Sequence, residues 1–95
     1  MAYAVIARYR CAPQDAELIR ESLLTMRERT REEPGNVEYA VHLDTEDENV
    51  FVLYEVYTDR AGFEAHAASD HFHEHIVTTV RPRLLDRRVT FAEVL

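Results

Sequence analysis

The residues best suited to chemistry are one acid and the histidines that follow it. Glu55 is the only charge in the run Val50-Phe51-Val52-Leu53-Tyr54-Glu55-Val56-Tyr57, and His66, His71, His73 and His75 come soon after. Imidazole is the side chain whose ordinary pKa lies nearest neutrality. A carboxyl desolvated among Phe51, Leu53 and Tyr57 is pushed up towards the same range, so Glu55 and His66 form a pair able to share a proton. His66 is a candidate general base, or a donor to a substrate oxygen, and its structural alternative is a core histidine bonded to Glu55 or a tyrosine. His71 follows Ser69 in the first turn of a helix, where the positive end of the dipole disfavours imidazolium. A neutral imidazole there suits proton abstraction, while the structural alternative is an exposed polar residue. For Glu55 the structural alternative is an ion pair with Arg8 or Arg81. Tyr39, Tyr54, Tyr57, Phe63, Phe72 and Ile76, with Arg81, are candidates to line a substrate pocket, against the alternative of plain core. His71 and His75 have the four-residue spacing of metal ligands, but a third ligand would have to come from His66, Glu55 or His42. With none of these firmly placed, no metal is expected.

Composition narrows the choices further. Ninety-five residues make one domain (1–95), and a chain this short buries only about 60 to 65% of its unfolded surface, so a second copy would help it. The net charge of −7 argues against nucleic acid and anionic membranes as partners. The apolar runs fall well short of the roughly 18 residues of a membrane span, and no leader-like N-terminus is visible, so a cytoplasmic location is expected. A single cysteine, Cys11, excludes an internal disulfide. All eleven basic residues are arginine, which removes lysine Schiff-base chemistry and leaves anion binding to arginine and helix starts.

The elements that must position these residues can be read in order. Ala2–Arg10 is a strand with apolar residues on both sides, closed by Pro13. A helix of roughly five turns starts at Gln14 or Asp15, buries Ala16, Ile19, Leu23, Met26 and Thr30, and stops at Pro34-Gly35. Val37, Tyr39, Val41 and Leu43 alternate with wetter positions as a second strand. An acidic turn, Thr45–Asn49, leads to the third, Val50–Tyr57. Thr58-Asp59 caps a helix that turns Phe63, His66 and Ala67 to one side. Ser69-Asp70 caps another, with Phe72, Ile76, Val80 and Leu84 as its stripe. Arg81-Pro82-Arg83 ends it, and Arg88–Leu95 is a final strand. The order βαββαβ predicts an α+β, ferredoxin-like sandwich with an antiparallel sheet, strands one and three central. Helices cover one sheet face, and a second copy is the simplest cover for the other, giving a homodimer.

Three stretches carry a resemblance over nearly the whole chain: Glu33-Pro34-Gly35 followed by Glu38-Tyr39, the strand Val52–Tyr57, and His66 with Ser69-Asp70-His71-Phe72. With these the chain resembles the antibiotic biosynthesis monooxygenase (ABM) family of dimeric α+β barrels. The resemblance implies a cofactor-free oxygenase of a quinol or polycyclic phenol, with His66 or His71 deprotonating the phenol and dioxygen attacking the phenolate. As a second reading it implies an isomerase of a small phosphorylated ketone, with Arg81 and Arg83 holding the phosphate. The haem-degrading branch uses an asparagine, a tryptophan and a histidine where this chain has Ile6, His66 and Ile76, so haem is not implied. Many oxygenase-type relatives carry tryptophan where Tyr57 stands. A non-catalytic ligand-binding dimer domain remains the third reading.

Overall fold

The computed structural model describes all of Met1–Leu95. Four strands, β1 (Tyr3–Cys11), β2 (Asn36–Leu43), β3 (Val50–Tyr57) and β4 (Leu84–Glu93), form one antiparallel sheet in the order β2-β3-β1-β4. Three helices lie between them: α1 (Ala16–Arg31), α2 (Arg60–Ala67) and a wider π-type helix, α3 (Phe72–Val80). This is the ferredoxin-like α+β sandwich that the order of elements predicts, with β1 and β3 central.

Strand parity divides the sheet into two chemically different faces. Val5, Ala7 and Tyr9 of β1 stand beside Glu55, Leu53 and Phe51 of β3, and this face is covered by the helices. Ile19, Leu23 and Met26 of α1 are fully buried against it, as is Val80 of α3. At roughly 1.5–3 kcal/mol for each large apolar side chain removed from water, these contacts hold the layers together. The opposite face presents Ala4, Ile6, Val52, Tyr54, Val56 and Ala92, with Arg8 and Arg10 at one end.

Several boundaries differ from the sequence reading. α1 has 16 residues, about four and a half turns, because Pro13–Asp15 forms a separate 3-10 turn ahead of it. β4 starts at Leu84 rather than Arg88, so Leu84 leaves the helical stripe and pairs with Cys11. Leu85, Asp86 and Arg87 lie outside the strand in the sequence reading, but an edge strand tolerates such charges. Val37 and Leu43 are 62% and 47% exposed, so β2 does not bury its whole predicted face. A register shift between Asn36 and Glu38 takes Val37 out of the pairing. In α3 the strict four-residue spacing of Phe72, Ile76 and Val80 suits a helix wound wider than 3.6 residues per turn, and Arg81 N–H bonds back to Ile76 O.

Two caps and one glycine contact fix the helices that carry the histidines. Asp59 Oδ1 accepts from Gly62 N–H at 2.8 Å, and Ser69 Oγ accepts from Phe72 N–H at 3.2 Å. The turn after α1 meets the start of α2 where Gly35 faces Gly62; a Cβ on Gly35 would lie 2.9 Å from Gly62 Cα. Thr58 N–H donates to Gly35 O at 2.9 Å across the same junction. Only glycine permits so close an approach, and it sets Glu33 against α2.

Candidate active site

Five polar side chains from four parts of the chain form a continuous line inside the helix-covered core. His71 Nε2 donates to Glu33 Oε2 at 2.5 Å, and His66 Nδ1 lies 3.0 Å from the same oxygen. Glu33 offers only acceptors, so His66 carries its proton on Nδ1 and presents the bare Nε2 on its other side. That nitrogen is 3.6 Å from Glu55 Oε1. Tyr57 O–H then donates to Glu55 Oε1 at 2.6 Å. His66 is 2% exposed and Glu55 5%, whereas the Glu33 and His71 side chains retain 16% and 18%, so the line runs from the surface inwards.

Burial sets the electrostatics. Desolvation, opposed by the Tyr57 hydrogen bond and reinforced by the charge of Glu33, raises Glu55 from 4.5 to about 7. Desolvation also lowers the pKa of His66, although Glu33 pulls the other way, and neutral imidazole results. Burial pushes the Tyr9, Tyr39 and Tyr57 hydroxyls up, with Glu55 adding to each, so these groups stay protonated. A neutral base facing an acid poised near pH 7 can pass a proton with little penalty in either direction.

Glu55 opens on a small cleft between the sheet and the ends of α2 and α3. Its walls are Val5, Ala7 and Tyr9 of β1, Phe63, Phe72, Arg81, and Arg87, Val89 and Phe91 of β4. It holds about 40 Å³ of water-accessible space, enough for a few waters and too little for a ring without movement of its walls. Arg81 and Arg87 are exposed, and Phe91, 51% exposed, is the most exposed of the apolar walls.

A model of the family "Antibiotic biosynthesis monooxygenase" matches residues 2–77. The chain belongs to the ABM family. Rv0793 from Mycobacterium tuberculosis has a similar structure, with a TM-score of 0.92 at 29% identity, covering 100% of this chain and 96% of that one. A putative antibiotic biosynthesis monooxygenase from Nitrosomonas europaea also superposes with a TM-score of 0.92, at 25% identity over 99% of this chain and 90% of that one. A Synechocystis protein, the uncharacterised sll1783, is 35% identical over 52 residues; that match spans 55% of this chain and 35% of the other protein's length.

Within this ABM domain the candidate residues separate into groups. Glu55, Phe63, Phe72 and Arg81 share the cleft. His66 and His71 stand behind it, both bonded to Glu33, and Tyr57 bonds to Glu55; His66 and Glu55 approach to 3.6 Å without a hydrogen bond, and Tyr39 and Ile76 are buried in the core. Tyr54 faces the opposite side of the sheet, since it pairs with Ile6. Glu55 forms no ion pair with Arg8, which is also on that opposite face beside Val52, nor with Arg81. Arg83 turns away from the cleft, donating to Thr79 O at 2.8 Å and lying 4.0 Å from Asp15. His75 lies beside Glu74 at 3.8 Å, and His42 Nδ1 donates to Val52 O, so neither joins His71. The set that could ligate a divalent ion is instead Glu33, His66 and His71, whose donor atoms lie within 4.8 Å of one another. In this structure those atoms already satisfy each other through hydrogen bonds.

Glu33 entered the sequence reading only within a stretch that carries the family resemblance, and neither it nor Tyr9, Arg87, Val89 or Phe91 was among the candidate site residues. Parity offered a signal: with Val89 and Phe91 facing the helices, Arg87 must face them too, directly across from Tyr9.

Proposed function

We propose that this ABM protein is a cofactor-independent monooxygenase that oxidises a small phenol or quinol with dioxygen, Glu55 taking the phenolic proton. The observation that supports this most is Glu55 itself, buried, poised near pH 7, and facing a cleft walled by Phe63, Phe72 and Phe91. The phenolic O–H bond gives its proton to Glu55, and the phenolate is rich enough in electrons to react with oxygen at a ring carbon. One oxygen atom ends as a new ring carbonyl. The other leaves as water with the two hydrogens the substrate has lost, so four electrons pass from the ring to dioxygen. His66 Nε2 holds the proton of Glu55 in transit, and Glu33 and His71 keep His66 in the tautomer that leaves Nε2 free. The tight cleft favours a single ring over a polycyclic one.

A second reading, isomerisation of a small phosphorylated ketone, uses the same base to remove a proton beside a carbonyl. What favours it is the presence of Arg81 and Arg87 in the cleft. Oxygen uptake during turnover of a panel of monocyclic quinols separates the two: stoichiometric consumption, unaffected by a chelator, supports the oxygenase. Deuterium exchange beside the carbonyl of a small phosphorylated ketone, with no oxygen uptake on the quinols, supports the isomerase. We also propose that the face bearing Ile6 and Tyr54 meets a second copy of the chain. Light scattering that returned a stable 11.1 kDa monomer would exclude that pairing.

A further inference from the structure

Six of the eleven arginines have no carboxylate oxygen within 4.0 Å, and of these Arg81 and Arg87 are the two that line the cleft at Glu55. Arg27, Arg31, Arg60, Arg83 and Arg88 each lie within 4.0 Å of a carboxylate oxygen, in a chain with 18 acidic residues. Neither Arg81 nor Arg87 does, yet both point into one cleft from different elements, Arg81 from the end of α3 and Arg87 from β4. The Arg81 guanidinium is held over the Phe72 ring at 5.3 Å. Tyr9 lies across from Arg87 and lines the same wall, so its hydroxyl adds a neutral donor. The two positive charges disfavour each other; Arg87 helps to lower the pKa of Arg81, with burial the larger cause. An inward charge on an edge strand protects against strand addition, which explains Arg87 but not a second arginine brought to it from a helix end.

We infer that the cleft takes substrates carrying an oxyanion group, a carboxylate or a phosphate, clamped between Arg81 and Arg87, with the body of the molecule on Phe72 and Phe91 and its acidic proton at Glu55. Guanidinium matches either anion with paired N–H donors, and two of them supply the charge that a negatively charged domain otherwise lacks. This placement of the far end rests on the reading of Glu55 as the base, whereas the clamp does not.

The test is direct binding by calorimetry, with 4-hydroxybenzoate and phenyl phosphate as anionic probes and 4-hydroxybenzyl alcohol as the neutral one. The anions are expected to bind at least about tenfold more tightly than the alcohol, with the advantage shrinking as salt is added. Arg81→Gln and Arg87→Gln should each lose about tenfold for the anions and little for the alcohol, and Arg81→Lys should recover part of that loss. The tighter of the two anions identifies the group. Equal binding of charged and neutral probes, or undiminished anion binding in both glutamine variants, overturns the clamp. Glu55→Gln separates this from the catalytic reading: if it turns over normally while the arginine variants lose the anion, the base assignment fails and the clamp stands. If a folded Arg81→Gln is too unstable to titrate, Arg87→Gln on the edge strand decides the matter alone.

Discussion

Two clefts on this molecule differ in a way that volume alone would misjudge. The larger, about 240 Å³, lies where α1 begins beside the β2–β3 turn, with Pro13, Glu17, Arg20, Glu48 and Phe51 among its walls. The cleft at Glu55 holds only about 40 Å³. In the larger one Glu17, Arg20 and Glu48 are exposed, and water solvates them. In the smaller one a carboxyl is 5% exposed, among aromatic rings, with a histidine behind it. Desolvation, not space, turns an ordinary acid into one that exchanges protons at neutral pH.

The sharpest way to break this contrast is Glu55→Gln, which keeps the shape and an oxygen for Tyr57 O–H but cannot accept a substrate proton. Turnover should fall by about 10²–10⁴-fold while the fold persists. The wild-type rate should rise with pH through about 7, as Glu55 ionises. Stability moves the other way. Because burial raises Glu55 from 4.5 in the unfolded chain to about 7, the folded state binds its proton more tightly. Its contribution is complete below about pH 4.5 and lost as pH rises through 7, so Tm falls across that window. His66, whose pKa is lowered on folding, contributes above its ordinary 6.5 and loses that contribution as pH falls. The Tm difference between wild type and Glu55→Gln, followed with pH, therefore isolates the acid; a difference that does not change with pH would count against its burial.

His66→Ala should have a smaller effect on rate and a larger one on stability. The side chain does not line the cleft, but its loss leaves Glu33 and Glu55 facing a void, at a cost of about 1–3 kcal/mol for groups left without partners. A variant that melted lower yet turned over at the wild-type rate would reduce His66 to structural support and leave Glu55 acting alone. Gly35→Ala probes the same line from a distance. The new methyl meets Gly62 backbone, which cannot swing aside, so the turn and α2 must part at roughly 1–3 kcal/mol. Parting them draws Glu33 from His66, so the rate should fall along with Tm.

The fold was legible in the sequence because its signals are local: strand parity in Val50–Tyr57, caps at Asp59 and Ser69, and a stop at Pro34-Gly35. Of the candidate site, the sequence offered the acid, the two histidines and three cleft residues, Phe63, Phe72 and Arg81. Glu33 lies over 30 residues from His66 in sequence, and it is the junction of the α1 turn with α2, through Gly35 against Gly62 and the Thr58 N–H to Gly35 O bond, that brings them together. Arg87 was hidden in a charged stretch that lies outside the strand until β4 is known to begin at Leu84. Tyr54 was misplaced for a related reason: in a strand apolar on both faces, composition does not say which face the helices cover.

The smallest expected effect completes the contrast. Arg20→Gln removes a charge from the wall of the larger cleft, where the side chain is exposed and has no carboxylate within 4.0 Å. Water replaces whatever the guanidinium does there, so stability should change by no more than about 0.5 kcal/mol. Turnover and binding of the anionic probes should stay at wild-type values, because this cleft is separated from Glu55 by the packed core of Phe51, Leu53 and Ile19. Steady-state kinetics on Arg20→Gln beside Arg87→Gln puts one arginine from each cleft through the same assay. If Arg20→Gln lost more than Arg87→Gln, the larger cleft would be the working one. The buried line from His71 to Tyr57 would then be a polar core held together by its own hydrogen bonds.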